Sequence, residues 1–233
     1  MYSFGSRVRY SEIGHHGTMT LPGLINYFQD CSTFQSEDIG LGVKELKKRK
    51  KAWILSYWQV IIERFPKMGE QVTVGTFATG FKGLYGDRNF FMNDEQGNRI
   101  ACANSIWVFM DMEKGRPAKP GDEDILPYGM EPPLEMVYEG RKIRLPESSE
   151  DFPSFPVQKY HIDTNEHVNN CQYVQMALEV LPDEINVRQL RVEYKKSAVY
   201  GDIICPKVAF ETERTVVELC DKNGNLYAVI EFK

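Results

Sequence analysis

Several features that would mark a metalloprotein, a nucleotide-binding enzyme or a membrane protein are missing from this chain. The five cysteines are scattered and form no Cys-x-x-Cys pair, which predicts reduced thiols and no zinc framework. No glycine-rich phosphate loop occurs, so we expect no nucleotide cofactor. The apolar runs fall short of the roughly 18 residues that a membrane span requires. The sequence therefore predicts a protein without metal, cofactor or membrane-spanning helix.

Positive charge is also scarce. The 28 lysines and arginines are outnumbered by 33 aspartates and glutamates, and the net charge of −5 gives no support to nucleic-acid binding. Hydrophobic residues make up 42% and charged residues 26% of the chain, which is ordinary for a globular domain. The first residues lack the apolar core of a secretory signal and the length of a transit peptide. We therefore expect a cytoplasmic protein from a bacterial source rather than from a plastid.

What the chain does have is a dense polar run at 161–173, which reads His-Ile-Asp-Thr-Asn-Glu-His-Val-Asn-Asn-Cys-Gln-Tyr. Asp163, Asn165 and His167 stand two residues apart, and side chains at i, i+2 and i+4 of an extended segment can point to one side. An apolar helical pattern follows, and a helix N-terminus favours developing negative charge. Acyl transfer needs such a base, an orienting group and oxyanion donors. The alternative is a polar loop in which an asparagine caps the helix and the histidine lies at the surface.

The continuation of this run resembles a known family. The pattern Asp-x-Asn-x-His-Val-Asn-Asn-x-x-Tyr is similar to that of the hot dog-fold thioesterases, and it is closest to the acyl-acyl carrier protein thioesterases of plant plastids and bacteria. Segments 53–74 and 190–202 resemble the first long strand of each half of that family. The resemblance spans nearly the whole chain. It implies an α+β fold, the double hot dog, in which two antiparallel sheets each wrap a long central helix and join edge to edge.

Internal repetition agrees with this fold. Segment 10–17 lies opposite 160–167, and each is followed by a helical pattern. Thr20 with Pro22 is a plausible start of the first helix, whereas the second helix is apolar nearly all round and is expected to be deeply buried. Runs rich in β-branched and aromatic residues predict four strands in each half. They lie at 53–65, 71–79, 85–93 and 99–110, and at 187–197, 203–211, 215–220 and 226–232.

The predicted domains are an N-terminal unit at 1–110, a linker at 111–159 and a C-terminal unit at 160–233. The linker holds eight of the twelve prolines, and its apolar islands predict that it packs along the protein. Where the second half has Asp163, Asn165 and His167, the first half has Ile13, His15 and Gly17. We therefore expect catalysis in the C-terminal unit and acyl-chain binding mainly in the N-terminal unit, which is also the division that the resemblance implies.

The resemblance also implies roles for the residues of the site. Asp163 would activate water or attack directly, His167 would act as general base and acid, and Asn165 would orient water or substrate. The amides at the start of the second helix are expected to hold the oxyanion. These candidate oxyanion and support residues are Val168, Asn169 and Asn170.

Plant members of the family carry a Glu-Cys pair after the strand that matches 190–196. Here Ser197 and Ala198 stand at those positions, so a cysteine nucleophile has no support there. Cys171 is expected to pack as a small apolar residue. Ser197 and Glu193 are candidates for an assisting role, and for Glu193 the alternative is an exposed carboxylate on a strand.

A basic run at 44–51 is the densest charge cluster of the chain, and its candidate docking residues are Lys47, Lys48, Arg49, Lys50 and Lys51. It is interpreted either as a docking surface for an acidic acyl carrier protein or as a solvated surface. The resemblance predicts a hydrolase that releases free fatty acid from acyl-acyl carrier protein and so ends chain elongation. The alternatives are an acyl-CoA thioesterase of the same fold and a non-catalytic acyl-binding module. Acyl length, saturation and oligomeric state stay open, with a homodimer among the options.

Overall fold

The computed structural model describes residues 1–182 and 185–233, and their contacts divide the chain into two compact units. Unit 1 comprises Met1–Ser56 and Val60–Tyr138. Unit 2 comprises Tyr57–Gln59 and Glu139–Lys233. One strand therefore contributes residues to both units. The division falls inside the segment 111–159 that the sequence predicts as a linker, so that segment is shared between the units.

Unit 1 consists of antiparallel strands and one long helix. Its helices are α1 (Leu21–Asp38), α2 (Val43–Lys48) and α3 (Asp122–Ile125). Its strands are β1 (Tyr2–Arg7), β2 (Lys51–Ile62), β3 (Gln71–Lys82), β4 (Tyr85–Asp94), β5 (Arg99–Asp111) and the short β6 (Arg116–Pro117). The strand order is β1-β3-β4-β5-β2, with β6 beside β5.

Helix α1 begins where the sequence predicts. Thr20 is the N-cap, and its side chain accepts the N–H of Gly23 at 3.1 Å, while Pro22 lies in the first turn. One face of the helix is fully buried and packs on β3 and β4. The buried side chains on this face include Leu24, Ile25, Phe28 and Cys31.

Unit 2 repeats this plan with shorter elements. Its strands are β7 (Glu150–Asp151), β8 (Phe155–Pro156), β9 (Gln189–Tyr194), β10 (Ile203–Phe210), β11 (Thr215–Cys220) and β12 (Leu226–Phe232). Their order is β9-β12-β11-β10-β7, and β8 also pairs with β10. The helix is α4 (Asn170–Glu179), which contacts β11 and β12.

The expectation that α4 is buried all round is wrong. Cys171, Val174 and Ala177 are buried, whereas Gln175 is half-buried and Glu179 is exposed. Polar residues therefore recur along one face, and that face meets solvent. In the part of the chain that is described, no helix is both long and apolar enough to cross a membrane.

The predicted strands agree with the observed ones to within a few residues, and a tight turn joins β4 to β5 in unit 1 and β11 to β12 in unit 2. Gly97 and Gly224 have φ values of 83° and 80°, which a glycine adopts without steric cost. The sequence did not predict β1 at Tyr2–Arg7. Its polar and small residues carry little strand signal, although the strand alternates between half-buried and exposed side chains and pairs with β3.

The predicted linker is held firmly on the sheet of unit 1. The amide oxygen of Asn89, a fully buried residue of β4, accepts the N–H of Leu134 at 2.9 Å and the hydroxyl of Tyr138 at 3.0 Å. The N–H of Glu131 donates to the carbonyl of Ala78 at 3.0 Å. The prediction that this proline-rich segment packs along the protein is thus confirmed.

In unit 2 a buried ionic network holds the continuation of the linker. Arg191 of β9 pairs with Glu231 of β12 at 2.8 Å, and only 6% and 2% of these two side chains are exposed. The Arg191 guanidinium also donates to the carbonyl of Gly140 at 2.6 Å. Arg214 pairs with the other oxygen of Glu231 at 2.7 Å and donates to the carbonyl of Arg144 at 3.0 Å. The same network therefore joins two strands to the linker.

We expect Arg191→Met to lower the free energy of unfolding by about 3 kcal/mol, because it removes one of the cations that compensate the buried Glu231 and the donor that binds the Gly140 carbonyl. Lys207→Met is the matched control, since Lys207 pairs with an 82% exposed Asp151 and exposed pairs contribute about 1 kcal/mol or less. Urea denaturation of both variants measures the difference. Equal losses in the two variants would contradict a structural role for the network.

Candidate functional site

The residues of the polar motif form a closed loop, which we call the site loop (residues 163–167). The N–H of Asp163 donates to the carbonyl of His167 at 2.8 Å, and a β-bridge between Ile162 and Val168 closes the base of the loop. The N–H of Glu166 donates back to the carbonyl of Asp163 at 3.1 Å. The loop therefore brings the main chains of Asp163 and His167 together.

The Asp163 carboxylate is held by its own loop. One oxygen accepts the N–H of Asn165 at 2.8 Å, which is the hydrogen bond of an Asx turn. Asp163 and His167 are half-buried, and Asn165 is exposed. The acid is thus oriented by the main chain of the next motif residue, and a convergence of all three side chains stays a prediction.

The helix that follows starts directly after the loop. Asn169 is the N-cap of α4, and its side-chain oxygen accepts the N–H of Cys171 at 2.9 Å. Asn170 is the first helical residue, and its N–H is one of the amides that the helix itself cannot pair. The loop therefore ends at the positive end of a helix dipole.

The structure corrects the predicted oxyanion donors. The N–H of Val168 donates to the carbonyl of Ala198 at 2.9 Å, and the N–H of Asn169 donates to the carbonyl of His161 at 2.9 Å. Both amides are therefore occupied by the main-chain bonds that close the loop. Among the three predicted residues, only Asn170 keeps an N–H suited to an oxyanion.

Ala198 also holds the site through its main chain, a role that the sequence did not predict. Its carbonyl accepts the N–H of Val168, and its own N–H donates to the hydroxyl of Tyr173 at 2.8 Å. The tyrosine that ends the motif thus ties α4 to the segment after β9. Ser197, an exposed residue, stands next to Ala198, so its main chain lies beside the motif. The motif tyrosine was the signal that could have indicated this contact.

Cys171 packs as the small apolar residue that the sequence predicts. Its side chain is 1% exposed, and burial raises the pKa of the thiol to about 12. A thiol with this pKa is protonated at neutral pH, whereas a cysteine nucleophile acts as the thiolate.

The alternative interpretation of Glu193 as an exposed carboxylate is wrong. Only 7% of this residue is exposed, and one of its oxygens accepts the N–H of Ile143 at 3.1 Å. The other oxygen is paired with Lys195. In this structure Glu193 therefore holds the linker, and an assisting role in chemistry stays a prediction.

Comparisons with known proteins show the family to which the chain belongs. A family model for the Acyl-ACP thioesterase N-terminal domain matches residues 2–128, and the model for the C-terminal domain matches residues 146–228. The chain belongs to the acyl-ACP thioesterase family. The motif at 161–173 lies inside the C-terminal match.

Individual relatives are distant in sequence and close in structure. The chain is 28% identical to a chloroplastic palmitoyl-acyl carrier protein thioesterase of Cuphea hookeriana over 208 residues, which are 81% of this chain and 50% of that protein. It spans about half the length of the curated relatives it matches.

Solved structures of this kind show the same fold. An acyl-ACP thioesterase from Bacteroides thetaiotaomicron superposes with a TM-score of 0.89 at 21% identity and covers 99% of this chain and 96% of its own. The 12:0-ACP thioesterase from Umbellularia californica gives 0.87 at 19% identity and covers 100% and 96%. The predicted α+β class and double hot dog fold are confirmed.

As in a double hot dog, unit 1 of this acyl-ACP thioesterase family member contains a copy of the site loop at residues 14–18. The N–H of Gly14 donates to the carbonyl of Thr18 at 2.9 Å, as Asp163 does to His167. Bridges between Ile13 and Met19 and between Ile162 and Val168 close the two loops. Each loop leads to the N-cap of the long helix of its unit.

These bonds correct the predicted correspondence between the halves by one residue. Gly17 and Glu166 occupy the same place and have φ values of 75° and 64°. The residues opposite Asp163, Asn165 and His167 are therefore Gly14, His16 and Thr18, rather than Ile13, His15 and Gly17. The copy in unit 1 still lacks the acid and the histidine beside the helix.

The basic run is not one free patch. Lys51 pairs with Asp111 at 3.0 Å, and ion pairs also join Lys50 to Glu113 and Arg49 to Asp124. Three of the five cations therefore have acidic partners within the protein, and docking by the run stays a prediction.

Helix α2 carries the exposed lysines at the start of this run. Lys44, Lys47 and Lys48 are exposed there, and Lys48 has Glu45 4.0 Å away. In the described part of the chain, no three His, Cys, Asp or Glu side chains gather as a metal site would require.

We expect Tyr173→Phe to lower the free energy of unfolding by about 1–3 kcal/mol, because it leaves the buried N–H of Ala198 without an acceptor. Tyr10→Phe is the control, since Tyr10 is 81% exposed and its loss should be close to zero. Chemical denaturation monitored by circular dichroism measures both variants. An unchanged free energy of unfolding in Tyr173→Phe would show that this hydroxyl does not hold the site.

Proposed function

We propose that this protein hydrolyses the thioester of acyl-acyl carrier protein, releases free fatty acid and so ends chain elongation. The observation that carries the proposal is the site loop, which places Asp163, Asn165 and His167 immediately before the N-cap of α4. Family membership across both halves of the chain supports the same activity. The hydrolysis, the acyl carrier protein substrate and this partner are our proposal for this chain, which spans about half the length of its curated relatives.

The chemistry follows from the site loop. Water attacks the thioester carbonyl, the C–S bond breaks, and the thiol leaves with a proton. Asp163, fixed through its bond to the N–H of Asn165, activates the water. In the alternative, Asp163 attacks the carbonyl itself, the thiol leaves, and water then hydrolyses the acyl anhydride formed on Asp163. His167 transfers the proton to the leaving sulfur, and the Asn165 side chain orients water or substrate. The N–H of Asn170 holds the developing oxyanion at the positive end of α4.

The division of labour between the units is also proposed. Unit 2 carries the chemistry, because the copy of the loop in unit 1 has Gly14 and Thr18 where the site has an acid and a histidine. Unit 1 binds the acyl chain. Its support is the loop of this unit, which keeps the backbone of the site loop and contains no acid. A cytoplasmic location and a bacterial source stay predictions from the sequence.

Substitutions in the site loop test the mechanism. We expect Asp163→Ala and His167→Ala to lower kcat/KM by roughly 10²-fold or more, the effect of removing a general acid–base group. Cys171→Ala should retain most activity, because the buried thiol is protonated. Release of free thiol from acyl-acyl carrier protein measures all three variants.

Two controls make this test decisive. Circular dichroism of each variant shows that a loss of activity is not a loss of folding, and a folded but inactive Cys171→Ala would revive a cysteine mechanism. Parallel assays with acyl-CoA separate the acyl-CoA thioesterase alternative. Acyl binding without thiol release on either substrate would favour a non-catalytic acyl-binding module.

The partner is an acyl carrier protein, which is acidic, and α2 is the positive surface that suits it. Replacing Lys44, Lys47 and Lys48 by glutamine should raise KM for acyl-acyl carrier protein about threefold or more, since each exposed pair contributes about 0.2–1 kcal/mol. Turnover of a small acyl thioester should be unchanged. The effect should shrink as salt rises, because exposed charges are screened over about 8 Å at physiological ionic strength.

A matched triple variant controls for net charge. Lys67, Lys82 and Lys119 are also exposed residues of unit 1, and their replacement by glutamine removes the same charge from other places. An equal rise in KM in both triple variants would show that net charge, and not α2, attracts the partner. No rise in either would return the basic run to a solvated surface.

A further inference from the structure

His161 holds the start of the site loop through two hydrogen bonds. Its Nδ1 accepts the N–H of Gln158 at 2.9 Å, and its carbonyl accepts the N–H of Asn169 at 2.9 Å. Only 6% of the residue is exposed. One buried histidine thus connects the turn before the loop with the N-cap of α4.

Unit 1 uses a different acceptor at the same place. There the Glu12 carboxylate accepts the N–H of Arg9 at 2.8 Å, and the Glu12 carbonyl accepts the N–H of Thr20 at 2.9 Å. The Glu12 carboxylate also binds the Arg9 side chain and the hydroxyl of Tyr27, at 2.7 and 2.9 Å. The main-chain geometry is therefore shared by the two units, and only the acceptor differs.

The difference matters because the two acceptors titrate differently. Burial opposes ionisation of Glu12, but the hydrogen bonds from Arg9 and Tyr27 outweigh it and lower the pKa of the carboxyl. An imidazole accepts a hydrogen bond at Nδ1 only when it is neutral with its proton on Nε2, and the imidazolium is a donor at both nitrogens. Protonated His161 would thus present a donor to the N–H of Gln158.

We propose that His161 is a positioning residue of the site, which holds the site loop when it is neutral and releases it when it is protonated. The consequence for hydrolysis rests on the proposed function, whereas the hydrogen bond and its loss do not. Asp163 and His167 would then work on a loop whose base loosens in acid.

The surroundings of His161 favour the neutral form. The ring of Tyr160 lies against it with centroids 4.2 Å apart. Titratable groups on the adjoining segments are Lys159 on the same turn, Asp163, Glu166 and His167 in the site loop, and Asp202, whose carbonyl accepts the N–H of Val157. Burial lowers the pKa of His161 below the usual 6.5.

The sign of the pH dependence follows. Above a pH of about 6.5 the imidazole is neutral in both the closed and the open loop, so the bond contributes fully. As the pH falls below that value, protonation favours the open loop. The loss grows until the pH reaches the lower pKa of the closed form and then levels off.

The first experiment is independent of activity. NMR of the imidazole nitrogens of the wild-type chain should show the proton of His161 on Nε2 and a pKa below 6.5. Hydrogen exchange at the Gln158 and Asn169 amides, corrected for intrinsic rates, should be about tenfold faster at pH 5 than at pH 7.5, which equals about 1.4 kcal/mol. A proton on Nδ1, or exchange independent of pH, would overturn the proposal.

Two substitutions separate the acceptor from the titration. His161→Asn puts an amide oxygen near the place of Nδ1 and should make the exchange independent of pH. His161→Leu has no acceptor and should exchange fast at both pH values. His16→Asn is the control, because His16 is exposed in the copy of the loop and should behave as wild type.

The second experiment follows hydrolysis against pH. If protonation of His161 releases the loop, the acid limb of kcat/KM should report one proton fewer in His161→Asn than in the wild type. An unchanged limb in His161→Asn would show that His161 does not position the site. If the chain hydrolyses no thioester at any pH, the proposed function fails, and the NMR and exchange results still decide the role of His161.

Discussion

The site depends on the hydrogen bonds that the main-chain groups of one residue, Ala198, form. Its carbonyl accepts the N–H of Val168 and its N–H donates to the hydroxyl of Tyr173, so the middle and the end of the motif are fixed to the same residue. Buried amide groups that lack partners are costly, which makes this arrangement hard to deform. The loop that carries Asp163 and His167 is closed at its base beside this anchor and leads to the N-cap of α4.

The two units share this loop as a backbone structure and differ in what the backbone carries. The left-handed residue, the bridge at the base and the N-cap recur in both, with Gly17 opposite Glu166. In unit 1 small residues fill the positions of the acid and the histidine. A carboxylate that arginine and tyrosine bind takes the place of His161. The duplicated fold thus supplies the geometry twice, and side chains decide where chemistry and titration occur.

Several charged residues that the sequence analysis interprets as surface residues pair with other parts of the chain and hold those parts together. Arg49 and Lys51 of the basic run pair with acids of unit 1, and Glu193 accepts a linker amide. Arg191, which is paired with Glu231, also donates to a linker carbonyl. The proline-rich segment has only two-residue strands and short helical turns, which pair few of its own amides. Side chains of the sheets therefore provide its partners, and the segment becomes part of both units.

The sequence by itself determined strands β2–β5 and β9–β12, the start of α1 at Thr20 and the location of the motif, because periodicity and capping depend on residues a few positions apart. It also indicated the double hot dog through Asp163, Asn165, His167 and the residues that follow them. Only the tertiary structure decided which amides are occupied, since Val168 pairs with a residue thirty positions away. The one-residue correction between the halves, the burial of Glu193 and the acceptor role of His161 have the same origin. Each depends on which distant groups the folded chain brings within hydrogen-bonding distance, and local patterns do not contain that information.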